Sequence, residues 1–228
     1  MSVEDVRKEI KKAETSNKLV SDIVFEYLFN KIISLDYEPG SNINETNLSE
    51  ELSVSRTPIQ KAIDKLIQMN LVNKISQKKT IIMPVSYEDC KQIYNFRVAI
   101  EGEATYWAVK NITPKDLEEL KTILASMKEY ISRAEYPVYQ DHEFHEKIIY
   151  LSKNKYFIQA YDSYKYSLLR YRAFIKLNLP KESIETYKDV YNTHYGIYNA
   201  FKNKFASVAR NEMLYDLHIM NDVLYLFK

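Results

Sequence analysis

Three glycines in 228 residues constrain this chain more than any other feature. Gly40, Gly102 and Gly196 stand far apart. The dinucleotide fingerprint, the phosphate-cradling loop and the nucleophile elbow each need glycines clustered within a few residues. The usual nucleotide-dependent enzymes are therefore not expected. One cysteine, Cys90, leaves no disulfide framework and no Cys-based zinc site, and fits a reducing cytoplasm. No run approaches the ~18 apolar residues of a membrane span. No apolar stretch behind the N-terminus reads as a leader.

Helical periodicity dominates, with one interruption. The stretch 1–18 is charged, but Val3, Val6 and Ile10 fall at helical spacing and suggest a short amphipathic arm. From Leu19 to Ser34, Ile23, Val24, Tyr27, Leu28 and Ile32 repeat with helical period until Asp36–Gly40 ends the run. Asn44-Glu45 opens a short helix through Leu52, and Ser55 caps a longer one with Pro58 in its first turn. LVNKI and TIIMPV then read as two β-runs joined by Ser76-Gln77-Lys78-Lys79. Three helices and a hairpin in this order make a winged helix-turn-helix over residues 19–85. Beyond Pro84 the texture changes. Ser86 with Asp89, Thr113-Pro114 with Asp116, Pro137 and Pro180 mark helix starts, giving about six helices to Phe227 and no further strand. The expected fold is mainly α: a winged helix followed by an all-helical bundle over residues 86–228.

The charge is unevenly spread. Between Ser55 and Thr80 six cations (Arg56, Lys61, Lys65, Lys74, Lys78 and Lys79) face one anion, Asp64. That is +5, leaving −4 for the rest of a chain whose net charge is +1. A lone basic run is ordinarily a solvated face. Here it coincides with the second helix and the wing of a helix-turn-helix, where counterion release favours a phosphate backbone.

The stretch from Val24 to Ser86 resembles the DNA-binding domain of GntR-family bacterial transcription regulators. Pro39-Gly40, Asn44-Glu45, Leu48, Val54-Ser55-Arg56-Thr57-Pro58, Ala62 and Leu71-Val72 carry the resemblance. It implies that Arg56 contacts phosphate or a base edge, with the Ser55 and Thr57 hydroxyls near the DNA backbone. Lys61 adds charge to the same helix, and Lys78 and Lys79 fall at the wing tip, near the minor groove. Three residues depart from the pattern: Gln60 replaces an arginine, Ser53 a turn glycine and Lys79 a wing glycine. The Gln60 amide can pair with adenine, so an altered operator preference is expected rather than lost binding.

All four histidines follow residue 140: His142, His145, His194 and His218. Asp141 and His145, four apart, stack on one helical face with Val138 and Ile148. His194 lies on an apolar stripe with Tyr187, Tyr191, Ile197, Tyr198 and Phe201. A single histidine on such a stripe is usually a hydrogen-bonded core residue. Two polar positions from two helices, one an Asp/His pair, point instead to a metal site inside a bundle.

These residues also resemble the FCD-type, FadR-like effector domain that follows the winged helix in one GntR subfamily. Asp141-His142-Glu143-Phe144-His145 fits its first metal motif, His194 with Ile197 and Ala200 its second, and Phe96-Arg97 with Ile100-Glu101 and Ala104 its opening signature. The last helix departs. Reading Ala209 and Met213 as its apolar markers puts Asp216, not His218, where the pattern has a final histidine. At about 100° per residue Asp216 falls within roughly 60° of the apolar stripe, whereas His218 points about 140° away. The expected ligands are therefore Asp141, His145, His194 and Asp216, with His218 in reserve. Such a set suits Zn²⁺, Mn²⁺, Ni²⁺ or Fe²⁺.

Arg97 admits two readings: a surface pair with Glu101, or a bidentate clamp on an effector carboxylate. Arg170 and Arg172 are weaker candidates. The function expected is a cytoplasmic, ligand-responsive regulator, not an enzyme. It would bind a palindromic DNA operator as a homodimer, with a small carboxylate as effector. The alternative is a metal-dependent hydrolase using the same His/Asp site.

Overall fold

Ten helices and three short strands make up the regular structure of residues 2–13, 18–76, 79–178 and 184–225, which the computed structural model describes. They fall into two units, Met1–Val85 and Ser86–Lys228.

The first unit runs α1 (Val3–Ala13), α2 (Val20–Ile33), β1 (Asn42–Ile43), α3 (Glu45–Leu52), α4 (Arg56–Gln68), β2 (Val72–Ser76) and β3 (Lys79–Ile82). Its core forms where α2 packs on α4, burying Ile23, Val24, Leu28 and Ile32 with Ile59, Ala62, Ile63 and Leu66. The side chain of Asn44 accepts from the backbone N–H groups of Thr46 and Asn47 and so caps α3. Ser53 ends that helix in the left-handed region at φ 55°, a conformation that favours glycine. That serine stands where the resemblance places a glycine. The turn from Ser53 to Ser55 then delivers α4, completing the helix-turn-helix. Ser55 occupies the N-cap position of α4, but its side chain makes no capping hydrogen bond.

Two features depart from expectation. The stretch read as an arm contains a packed helix: Val6, Ile10 and Ala13 are buried, α1 rests on α2 and α3, and Arg7 donates to the Glu51 carbonyl at 2.7 Å. The wing also has a third strand. β1 pairs antiparallel with β3, giving the order β1-β3-β2. Two residues are too few for an alternating pattern to announce.

The second unit consists of α5 (Tyr87–Asn111), α6 (Pro114–Ser132), α7 (Val138–Leu151), α8 (Lys155–Asn178), α9 (Ile184–Lys202) and α10 (Ala206–Tyr225). Ser86 caps α5 by accepting the Asp89 N–H, and Thr113 with Asp116 forms a reciprocal capping box at α6. Pro137 is the N-cap of α7; Pro180 lies outside the described residues. The helix α10 packs against both α5 and α9, and α7 packs against α5, α6 and α8. Phe144, Ile148, Tyr161, Leu168, Ile197, Phe201, Met213 and Leu217 fill the interior.

Two glycines set the approach of α10 to its neighbours. A Cβ at Gly102 would come 3.0 Å from Leu214, and one at Gly196 would come 2.9 Å from the Glu212 carboxylate. Among the described residues no helix is long and apolar enough to cross a membrane.

Candidate functional site

The interior of the helical unit is not uniformly apolar. Asp141 and His145 lie one turn apart on α7, His194 is on α9 and Asp216 is on α10. These residues are 2%, 1%, 0% and 1% exposed. One ligand atom from each lies within 4.8 Å of all the others. His145 Nε2 is 3.2 Å from Asp216 Oδ2 and 3.5 Å from Asp141 Oδ1, and His194 Nε2 is 3.1 Å from Asp141 Oδ1.

The hydrogen bonds behind the imidazoles decide what these contacts are. His194 Nδ1 is 2.7 Å from the Val190 carbonyl, which can only accept, so that nitrogen carries the proton. Its Nε2, and that of His145, find no hydrogen-bond partner although both are buried. In the neutral imidazole each of these nitrogens turns a lone pair toward carboxylate oxygens. Such an arrangement is repulsive unless a positive charge sits between the groups. The charge can come from protons or from a metal ion. Burial pushes the His194 imidazole down, but Asp216 and Asp141 more than reverse this and raise it to about 10. Burial likewise opposes ionisation of Asp216, yet His194 and His145 hold its carboxyl well below the usual carboxylate range. The centre thus holds two carboxylates and two imidazole nitrogens, which are divalent-metal donors.

Other buried groups surround these four. Arg172, 1% exposed, pairs with Asp141 through Nε, and its Nη1 lies 3.1 Å from His142 Nδ1. Its Nη2 meets no partner. Thr193 donates to Asp216 Oδ1 at 2.5 Å, and Tyr136 donates to Asp141 Oδ2 at 3.4 Å. Arg97 pairs with Glu101, Nε to Oε1 at 2.6 Å, and Glu101 Oε2 lies 2.7 Å from His145 Nδ1.

All five expected bundle residues therefore meet in one place. The Arg97–Glu101 pair is present, but it is buried at 2% and 0% exposure rather than on the surface. His218, the reserve ligand, is exposed and meets the Tyr94 hydroxyl at 2.7 Å through Nδ1. Arg170 is buried. Sequence reasoning missed Glu101 as a partner of His145, Thr193 as a partner of Asp216, and the closeness of Arg172 to Asp141. The one signal available was the spacing of Arg97 and Glu101, which is equally compatible with a solvated pair.

In the first unit Ser55, Arg56, Thr57, Gln60, Lys61 and Lys79 are all exposed on α4 and the start of β3. Lys78 lies outside the described residues. Arg56 donates to the Thr46 hydroxyl at 3.1 Å, and Gln60 to Glu45 Oε2 at 3.4 Å. Lys65, part of the same basic run, is neutralised by Asp22 at 2.5 Å. The positive face is smaller than the run suggests, centred on Arg56, Lys61, Lys74 and Lys79.

Comparison with known proteins bears on both units. The family model for bacterial regulatory proteins of the gntR family matches residues 21–82, and that for the FCD domain matches residues 92–218. The chain is 25% identical to the gluconate operon transcriptional repressor of Bacillus licheniformis over 197 residues, covering 82% of this chain and 76% of that protein. It is 28% identical to the Nta operon transcriptional regulator of Aminobacter aminovorans over 125 residues, 54% of this chain. That match spans only 59% of the relative's length, under two thirds. Among solved structures, Escherichia coli McbR/YncC shares the fold with a TM-score of 0.76 at 18% identity, covering 92% of this chain and 99% of that one.

Proposed function

Because the chain belongs to the gntR family of bacterial regulatory proteins and carries an FCD domain, it is a transcriptional regulator, and we propose that a small carboxylate metabolite controls it through a divalent metal centre. The observation that carries this reading is the convergence of Asp141, His145, His194 and Asp216 within 4.8 Å inside the bundle. These four residues would hold Zn²⁺, Mn²⁺, Ni²⁺ or Fe²⁺. When bound, such an ion supplies an electrophilic anchor for carboxylate oxygens. Charge supports an anionic effector. Around the centre, Asp141, Asp216 and Glu101 against Arg97 and Arg172 leave one negative charge. A divalent ion inverts it to one positive, which a monocarboxylate neutralises. Arg97 and Arg172 are the buried cations that favour an anion here.

Residues 19–85 then form the DNA-binding domain and residues 86–228 the effector and dimerisation domain of a cytoplasmic homodimer. Ser55, Arg56, Thr57 and Lys61 position α4 on an operator, Gln60 reads a base edge, and Lys78 and Lys79 reach from the wing. Two such units related by two-fold symmetry require a palindromic operator. The hydrolase alternative is not carried forward. The relatives are named as regulators, and the carboxylates of the centre already accept from Arg172 and Thr193.

Selection from random duplex DNA should return a palindrome, and Arg56→Ala should weaken its binding by about 1–3 kcal/mol. Elemental analysis should find about one divalent ion per chain, lost in His194→Ala. Equal binding by Arg56→Ala at moderate salt would sink the docking, and a metal-free wild type would sink the centre.

A further inference from the structure

We infer that Glu101 is the positioning residue of the metal centre: its carboxylate, clamped by Arg97, holds His145 in the tautomer that turns Nε2 toward Asp141 and Asp216. This deepens the metal-centre reading and rests on it.

Glu101 is fully buried on α5, an element that supplies no ligand, yet it reaches His145 Nδ1 at 2.7 Å through Oε2. Arg97, one turn earlier, takes Oε1 at 2.6 Å and Oε2 at 3.3 Å. Its Nη2 also lies 3.2 Å from His145 Nδ1. A guanidinium can only donate, so the two neighbours of Nδ1 make opposite demands on it. An unprotonated Nδ1 would set its lone pair against the carboxylate at the shorter distance. A protonated Nδ1 donates to that carboxylate, and Arg97 Nη2, at the longer distance from the ring, donates to the same oxygen at 3.3 Å. The proton therefore belongs on Nδ1, and Nε2 is left as the donor to a metal. The other imidazole reaches the same state differently, through the carbonyl of Val190 on its own helix. A carboxylate or carbonyl behind a ligating imidazole fixes the ring and strengthens the donor. Arg97 is occupied in holding Glu101 and is not a free clamp. Nη2 of Arg172 is a buried guanidinium nitrogen with no hydrogen-bond partner.

The test uses Co²⁺ as the probe and two variants of the full chain. Arg97→Met with Glu101→Met removes the ion pair without stranding a buried charge. Glu101→Gln keeps an acceptor for Nδ1–H. The double variant should bind Co²⁺ about 10–100-fold more weakly than wild type, whereas Glu101→Gln should retain most of the affinity. Nitrogen NMR of the Zn²⁺-loaded protein should show Nδ1–H on His145 in wild type and Glu101→Gln. Wild-type affinity in the folded double variant overturns the inference. So does loss of the Nδ1–H signal in Glu101→Gln at full affinity, an outcome readable even if the double variant fails to fold. A wild type that takes up no Co²⁺ overturns the metal reading itself, and this inference with it.

Discussion

At position 216 an aspartate stands where the resembling family has a histidine, and helical register decides between it and His218. Ala209 and Met213 are both fully buried, so the face they define is the inward one, and Asp216 shares it at 1% exposure. His218 is exposed and turned to Tyr94. Asp216→Ala should abolish stoichiometric metal content by elemental analysis, while His218→Ala should leave it unchanged. The reverse result would mean that α10 is rotated from the register described. This inward position was legible because two apolar markers fix the angle of a helix. Glu101 and Arg172 were not, since spacing cannot say whether an ion pair faces water or protein. Burial reverses their meaning. An exposed i,i+4 pair contributes a few tenths of a kcal/mol, but breaking a buried one costs about 3–5 kcal/mol. His142 is a similar case. It touches Arg172 and Tyr161, and burial together with Arg172 pushes its imidazole down to about 3. It lies beside the guanidinium that pairs with Asp141.

Elements were legible in proportion to their punctuation. The Thr113-Pro114 and Asp116 signal announced α6, and the bonds are there: the Thr113 hydroxyl accepts the Asp116 N–H at 3.3 Å, and Asp116 Oδ2 accepts the Thr113 N–H at 3.0 Å. Burial works against the Asp116 carboxyl, but the hydrogen bonds from Thr113 and the ammonium of Lys147 outweigh it and lower the group to about 2. A carboxyl that is lower in the fold than in the unfolded chain stabilises above the unfolded value of about 4. That stabilisation is lost as pH falls through the folded value. Thr113→Ala should therefore cost about 1 kcal/mol at neutral pH by denaturant unfolding. The gap between wild type and Asp116→Asn should close as pH falls from about 4 toward 2. A gap that persisted there would assign the effect to packing rather than charge. Where punctuation was absent, the reading was incomplete. β1 has two residues, and the helical spacing of Val6 and Ile10 did not say that α1 packs onto the unit with Val6, Ile10 and Ala13 buried.

For the whole molecule, a palindromic operator demands two-fold symmetry from the protein that reads it. The helical unit has material for such contact: Phe96 and Trp107 on α5, Tyr195 on α9 and Tyr215 on α10 are between 42% and 60% exposed. Light scattering at micromolar concentration should give twice the 27.0 kDa mass of the chain in the absence of DNA. A single-chain mass, free and on the operator, would remove the dimer. The burial of the centre has a consequence of another kind, in time rather than affinity. With the four residues no more than 2% exposed, a bound ion would leave only when helices part, so its departure should be paced by opening of the bundle and not by competitors in solution. Stripping of bound Co²⁺ should proceed at one rate whatever the excess of chelator, and a rate that climbs with chelator would mean a standing channel. With an ion bound, a centre closed in this way would keep a record: the protein would go on reporting the metal supply under which it folded after that supply had changed.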